Sequence, residues 1–197
     1  MKKRSRGIFT FVGERYNDGR ADMQKSLEEH FIENIEIFNN AVFDNGQENI
    51  AYNDRAENII VETDLVYFDP PYFTPKSDND YLRRYHFVEG LVKNWEGIKI
   101  QKHSAVKKFE SYKSPFAKKE TAYTTFESLF NRYQNSIIAI SYSSNCYPTK
   151  DELTAMLQKY KSKVEVHEIN HTYSFGNHNH KIGNKNNRVK EYIFIGT

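Results

Sequence analysis

The residues best suited to chemistry in this chain are Asp69, Pro70, Pro71 and Tyr72. They follow residues 65–68, an apolar run of sequence Leu-Val-Tyr-Phe that predicts a strand buried on both faces. The two prolines end the strand and keep the first carbonyls of the turn from being used by a continuing helix. The Asp69 carboxylate and the Pro70 carbonyl can therefore accept hydrogen bonds from one amino group, while Tyr72 stacks on the ring that carries it.

This arrangement predicts a clamp for an exocyclic amine on a planar base. Two acceptors directed at one nitrogen orient its lone pair towards an electrophile, and Phe73 offers a second ring for contact with the base. The simpler structural interpretation is a turn, because Asp and Pro are common turn formers at strand ends. The second proline and the tyrosine, placed at the end of a hydrophobic strand, favour the functional interpretation, the amine clamp.

Helices and strands alternate around this motif. Apolar residues three and four apart predict a helix from residue 22 to the turn at residues 44–46 and further helices over residues 81–95 and 124–133. A capping box at residues 149–152 predicts one that runs to about residue 160. We expect the first helix to pack on the domain. Apolar or alternating runs predict further strands over residues 8–12, 49–53, 136–142, 164–169 and 191–196. The order predicts an α/β domain with a mostly parallel sheet and a closing antiparallel strand.

The composition fits a single cytoplasmic domain. The chain has 197 residues, of which 38% are hydrophobic and 15% aromatic, enough to build one core from large rings. Its only cysteine, Cys146, excludes an internal disulfide and a cysteine-based zinc site and is more typical of a small buried residue than of a nucleophile. No run of eighteen apolar residues is present, so we predict no membrane segment.

Four segments, in order, resemble the Dam-like adenine-N6 DNA methyltransferases of the alpha group. The sequence Asp-Pro-Pro-Tyr at 69–72 matches their catalytic motif, residues 85–92 look like the helix that follows it, and residues 138–145 and 188–196 look like later strands. The resemblance implies a Rossmann-like sheet. It also implies transfer of a methyl group from S-adenosylmethionine to N6 of an adenine flipped out of double-stranded DNA. A bacterial restriction-modification system is the expected setting.

The resemblance also implies roles for individual residues. Asp69, Pro70 and Pro71 would form the catalytic turn, and Tyr72, also catalytic, would stack on the base. Asp54 looks like the acidic residue near the adenosyl end of the cofactor, so Asp54 and Asp69 are the predicted cofactor-binding residues. Tyr72 is a predicted substrate-binding residue, and so is the neighbouring ring of Phe73. No metal ion is expected.

One motif of these enzymes is missing. They normally carry a strand that leads into a Phe-x-Gly-x-Gly loop for the methionine part of the cofactor, and no two of the nine glycines here lie within three residues of each other. We therefore interpret residues 1–47 as a remnant of a target-recognition insert and residues 48–197 as the catalytic portion. The sheet is expected to be incomplete at its N-terminal side, with an apolar edge beside the catalytic strand. The chain is then a truncated or split form, and a second polypeptide would supply the missing half.

Two alternative functions stay open at this point, and so does the role of one segment. The chain could be an inactive DNA-binding or subunit fragment, or a relative that methylates RNA. The lysine-rich residues 99–119, interleaved with Phe109, Tyr112 and Phe116, suit either nucleic-acid binding or a solvated insert. Residues 171–187 are polar and rich in asparagine, with two glycines, and predict a loop or hairpin tip. The spacing of the histidines in and near this segment matches no zinc site.

Overall fold

A computed structural model describes residues 2–3, 9–10, 25–74, 85–102, 109–110, 114–172 and 188–197. Its strands are β1 (Lys2–Lys3), β2 (Phe9–Thr10), β3 (Leu65–Phe68), β4 (Ile137–Ser143), β5 (Val164–Thr172) and β6 (Arg188–Gly196). Its α-helices are α1 (Leu27–Ala41), α2 (His86–Val92), α3 (Lys119–Arg132) and α4 (Lys150–Leu157), and a 3-10 turn covers Pro115–Ala117. No described helix is long and apolar enough to cross a membrane.

Four strands form one open sheet in the order β3-β4-β6-β5. Strand β3 pairs with β4 in parallel, with Phe68 opposite Ile140, whereas β4 with β6 and β6 with β5 are antiparallel. The mixed α/β class and the closing antiparallel strand are confirmed, although β3–β4 is the only parallel pairing among the described strands of this sheet. Strands β1 and β2 form a separate antiparallel pair, which contains part of the strand predicted at 8–12.

The core lies on one face of this sheet, under α3 and α4. Alternate residues of β4 and β6 point into it and meet aromatic and aliphatic side chains of the two helices. Its fully buried members include Phe126, Phe130, Ile138, Ile140, Tyr142, Leu153, Leu157 and Phe194. The capping box predicted at Thr149 is confirmed, since the Thr149 and Glu152 side chains each accept a hydrogen bond from the other's backbone amide. This core fixes the end of β4 that lies beside the candidate site.

The opposite face of the sheet is only partly covered. Leu65 and Tyr67 of β3 and Ile137 of β4 are 53%, 56% and 41% exposed. The expectation that residues 65–68 are buried on both faces is therefore wrong for the described part of the chain. The physical reason is the position of β3: it is the outermost described strand, and the described helices cover only one of its faces.

Helix α1 forms as predicted but does not pack on the domain. Ser26 caps it through a complete capping box with Glu29, and the helix ends at Ala41. None of its residues is buried; Phe31 and Phe38 are 64% and 71% exposed. The predicted packing is wrong here, because periodicity identifies an apolar side of a helix but not the surface that covers it.

Several other boundaries differ from the prediction. Residues 49–53 form no strand, α2 occupies only part of the predicted helix 81–95, and α3 begins at Lys119, five residues before Thr124. In the lysine-rich segment, Phe109 and Phe116 are 3% and 7% exposed. These two rings are therefore not available to stack on nucleic acid, while Tyr112 and residues 173–187 of the predicted polar loop lie outside the described residues.

Candidate active site

The Asp69 side chain lies where β3 ends beside β4, which continues to Ser143. Because Phe68 is paired with Ile140, the next residues of the two strands, Asp69 and Ser141, are also neighbours. The Ser141 hydroxyl donates a hydrogen bond of 3.0 Å to Oδ1 of Asp69. The carboxylate is exposed, so it can accept further hydrogen bonds from a ligand.

Tyr72 lies over the end of β4 and is half-buried. Its ring packs edge-on against the Tyr142 ring, with the centroids 5.1 Å apart, and its hydroxyl donates to Oε2 of Glu191 at 3.4 Å. Burial raises the pKa of Tyr72 to about 12. The nearby Ser141 hydroxyl lowers this pKa, whereas the charges of Glu191 and Asp69 raise it further. The phenol is therefore neutral at physiological pH and keeps its proton for Glu191.

The turn after the motif is tied to the loop after β4. The Tyr147 amide donates to the Phe73 carbonyl at 2.9 Å, and the Tyr142 hydroxyl donates to the Tyr147 carbonyl at 2.5 Å. Tyr142 is itself buried in the core. Two hydrogen bonds in series, through Tyr147, therefore connect the turn after the motif to the buried core, and we expect this to limit the movement of the turn.

A cavity of about 340 Å³ opens at the motif and is lined by Asp69, Pro70, Pro71 and Tyr72. This volume is at the lower end of the range of roughly 300–1,000 Å³ for small-molecule sites. Its lining combines a carboxylate, a phenol ring and two prolines, which together suit a flat molecule with hydrogen-bond donors on one edge. The four predicted catalytic residues are thus brought together at one cavity.

The other two predicted site residues lie apart from this cavity lining. The Asp54 carboxylate accepts hydrogen bonds from the Arg55 amide at 2.7 Å and the Asn58 side chain at 2.8 Å. Both bonds lower the pKa of Asp54, and the bond from Asn58 has the larger effect. No described contact joins Asp54 to Asp69. Phe73 is half-buried and bound through its carbonyl to Tyr147. The cofactor role of Asp54 and the base contact of Phe73 therefore stay predictions.

Ser141 and Glu191 are the polar site residues that sequence reasoning missed. Ser141 lies in the predicted strand over residues 136–142, but the register that places it beside Asp69 is not contained in the pattern of either strand. Glu191 pairs with Ser143 across β4 and β6, and this register is likewise absent from the pattern of either strand.

Cys146 is close to this group but is closed to solvent. Its side chain is 2% exposed, and burial, with the nearby Glu191 charge as a second cause, raises the pKa of the thiol to about 12. We therefore expect Cys146 to react with a thiol reagent at pH 8 at least about 100-fold more slowly in the native protein than in urea, since the thiolate is the reactive form. Absorbance of the released reporter measures both rates, and Cys146 is the only cysteine that can contribute. Equal rates would mean that the thiol is accessible.

Comparison with known proteins finds methyltransferases among the relatives. Type II methyltransferase M2.HphI of Haemophilus parahaemolyticus is 32% identical over 162 residues, which are 81% of this chain and 44% of that protein. Type II methyltransferase M.CviAII of Paramecium bursaria Chlorella virus 1 is 27% identical over 145 residues, 73% of this chain and 40% of the relative. Modification methylase StsI of Streptococcus sanguinis is 24% identical over 138 residues, 69% of this chain and 20% of the relative. No family model matches the chain, and no solved structure is significantly similar to it.

The fold, the motif and these relatives together define the class: the chain is homologous to type II DNA methyltransferases. The predicted relationship to DNA methyltransferases is confirmed, while the narrower Dam-like assignment stays a prediction. The chain spans less than half the length of each of the three relatives.

Proposed function

We propose that this chain is the catalytic portion of a site-specific DNA methyltransferase that acts on N6 of adenine. The observation that carries the proposal is the joint position of Asp69, Pro70 and Tyr72 at one cavity, after the strand β3. The similarity to type II methyltransferases supports it independently. We also propose a cytoplasmic protein within a restriction-modification system, supported by the same relatives and by the single, free cysteine.

The proposed chemistry uses two acceptors and one ring. An adenine inside a duplex is out of reach, so the base is flipped out and its amine enters the cavity. The Asp69 carboxylate and the Pro70 carbonyl accept the two amine hydrogens, and the neutral Tyr72 ring stacks on the base. Both hydrogens are then held in place, and the nitrogen lone pair is the part of the amine left to react.

S-adenosylmethionine, the methyl donor of this enzyme class, supplies the methyl group when bound. The described residues do not form a complete site for it. The cavity is lined by the four motif residues, and the carboxylate of Asp54 is occupied by Arg55 and Asn58 within its own turn. We propose that most groups that hold the cofactor lie outside the described residues.

A second polypeptide is the proposed source of these groups. Its support is the exposed apolar surface of two elements: β3, the outermost described strand, with Leu65 and Tyr67 exposed, and α1, none of whose residues is buried. An unpaired strand edge with exposed apolar side chains favours pairing with another strand. The missing Phe-x-Gly-x-Gly loop and the greater length of the relatives agree with this proposal.

We expect calorimetric titration of the isolated chain with S-adenosylmethionine to give no binding in the micromolar range. The reason is the incomplete cofactor site. Adding the polypeptide encoded immediately upstream is expected to restore micromolar affinity, about −8 kcal/mol at 1 μM. Micromolar binding by the chain alone would contradict the proposed division of the site.

We propose that the chain divides after residue 47 into the two predicted parts. For residues 1–47 we propose a role that differs from target recognition alone. Residues 48–197 carry the site. In residues 1–47, α1 carries Glu28, Glu29, Glu33 and Glu36, whose charge DNA phosphates repel. The charge that suits phosphate is in residues 2–6, of sequence Lys-Lys-Arg-Ser-Arg. We therefore assign DNA contact to the basic start and protein contact to the apolar side of α1.

The test is methyl transfer from labelled S-adenosylmethionine by the full chain, alone and co-expressed with the upstream polypeptide. Substrates are mixed-sequence duplex DNA and RNA, and mass spectrometry of the hydrolysed product identifies the methylated base. The expected product is N6-methyldeoxyadenosine from duplex DNA. Transfer to RNA only, or methylation of a base other than adenine, would overturn the proposal, and no transfer in either preparation would favour an inactive subunit.

A further inference from the structure

We propose that Ser141 is the positioning residue of the amine clamp. Its hydroxyl fixes the orientation of the Asp69 carboxylate, so that one oxygen is held by the protein and the other is presented to the base. The inference rests on the proposed function and adds to it a residue outside the Asp-Pro-Pro-Tyr motif.

The carboxylate is an exposed group that needs such a partner. An aspartate side chain at a surface turn rotates freely unless a donor holds it, and freedom of rotation weakens directed hydrogen bonding. The bond from Ser141 to Oδ1 is 3.0 Å long and is assisted by the carboxylate charge. Within the described residues Oδ2 receives no hydrogen bond, so this oxygen is left for the ligand.

The hydroxyl is itself held in place by its strand. Ser141 lies in β4, which has hydrogen-bonded neighbours on both sides, β3 and β6, and is paired with Ile193 of β6. The residues before and after it, Ile140 and Tyr142, are buried in the core. A donor on a central strand between two core residues moves less than a donor on a loop.

The other half of the clamp is held by the neighbouring residue of the same strand. Tyr142 packs edge-on against the Tyr72 ring, with the centroids 5.1 Å apart, and the Tyr72 hydroxyl donates to Glu191. The carboxylate that accepts the amine and the ring that stacks on the base are therefore both held against β4, the first by Ser141 and the second by Tyr142. Loss of the Ser141 hydroxyl should weaken recognition of the amine while the core stays intact.

The test compares two nucleosides that differ only in the amine. Binding of 2′-deoxyadenosine and of purine 2′-deoxyriboside, which lacks the amino group, is measured by NMR titration of the full-length chain at millimolar concentrations. The wild-type chain is expected to prefer deoxyadenosine. In Ser141→Ala this preference should fall about three- to tenfold, the effect of one hydrogen bond.

Two further variants separate positioning from general structure. Ser141→Thr keeps the hydroxyl and is expected to retain the wild-type preference, and so is Ser162→Ala, which removes an exposed hydroxyl that bonds only Thr197 among the described residues. An unchanged preference in Ser141→Ala would overturn this inference and leave the proposed function intact. No preference in the wild-type chain would overturn both, because the amine clamp itself would then be absent.

Discussion

Replacing Asp69 by asparagine is expected to lower the rate of methyl transfer about 100- to 1,000-fold, the range found when one preorganised polar group is removed from a reacting centre. The amide is nearly the same size but has no charge, and its nitrogen is a donor that would repel the amine hydrogens. Its oxygen can still accept the bond from Ser141. The change therefore removes the acceptor with little effect on the packing of an exposed side chain.

Asp64→Asn is the matched control for this experiment. Asp64 precedes β3 as Asp69 follows it, and it is exposed; its backbone carbonyl binds the Ile137 amide. The control should keep the wild-type rate and the same thermal unfolding midpoint. A wild-type rate in Asp69→Asn, measured with the labelled-methyl assay, would exclude Asp69 from the proposed chemistry.

The site could be predicted as far as it is local in sequence. Asp69, Pro70, Pro71 and Tyr72 are consecutive, and the apolar run before them and the two prolines define where the strand ends. In the structure all four line one cavity, and their catalytic roles stay a prediction. Ser141 and Glu191 come from other strands, and their contribution depends on registers that single-strand patterns do not contain.

The fold could be predicted where the local signal and the packing agree. Strands β3, β4 and β6 have apolar or alternating sequences and were placed within a few residues, and the capping box identified the start of α4. The start of α3 was missed because its N-cap, Lys118, makes no side-chain capping bond. The predicted burial of α1 and of β3 is wrong for a different reason. Burial depends on the neighbours that cover a helix or strand, and a sequence pattern does not specify those neighbours.

The contrast between the packed core and the uncovered α1 has a consequence for stability. The largest loss of stability is expected for Phe126→Ala, a substitution in the core. Phe126 is completely buried, and its ring centroid lies 5.3 to 5.7 Å from those of Phe116, Phe130 and Tyr142. Removing the ring should lower the free energy of unfolding by about 3–5 kcal/mol, because the apolar contacts are lost and a cavity remains. Urea unfolding followed by circular dichroism measures this difference.

Phe43→Ala is the control for this experiment, because it removes an aromatic ring from the part of the chain that lies outside the core. Phe43 is 81% exposed and follows α1, and none of residues 25–74 is buried. Its truncation should change the free energy of unfolding of the isolated chain by no more than about 0.5 kcal/mol. If a second polypeptide covers α1, the same substitution should instead weaken that complex. A large loss of stability in the isolated chain would show that residues 25–74 already belong to a core of their own.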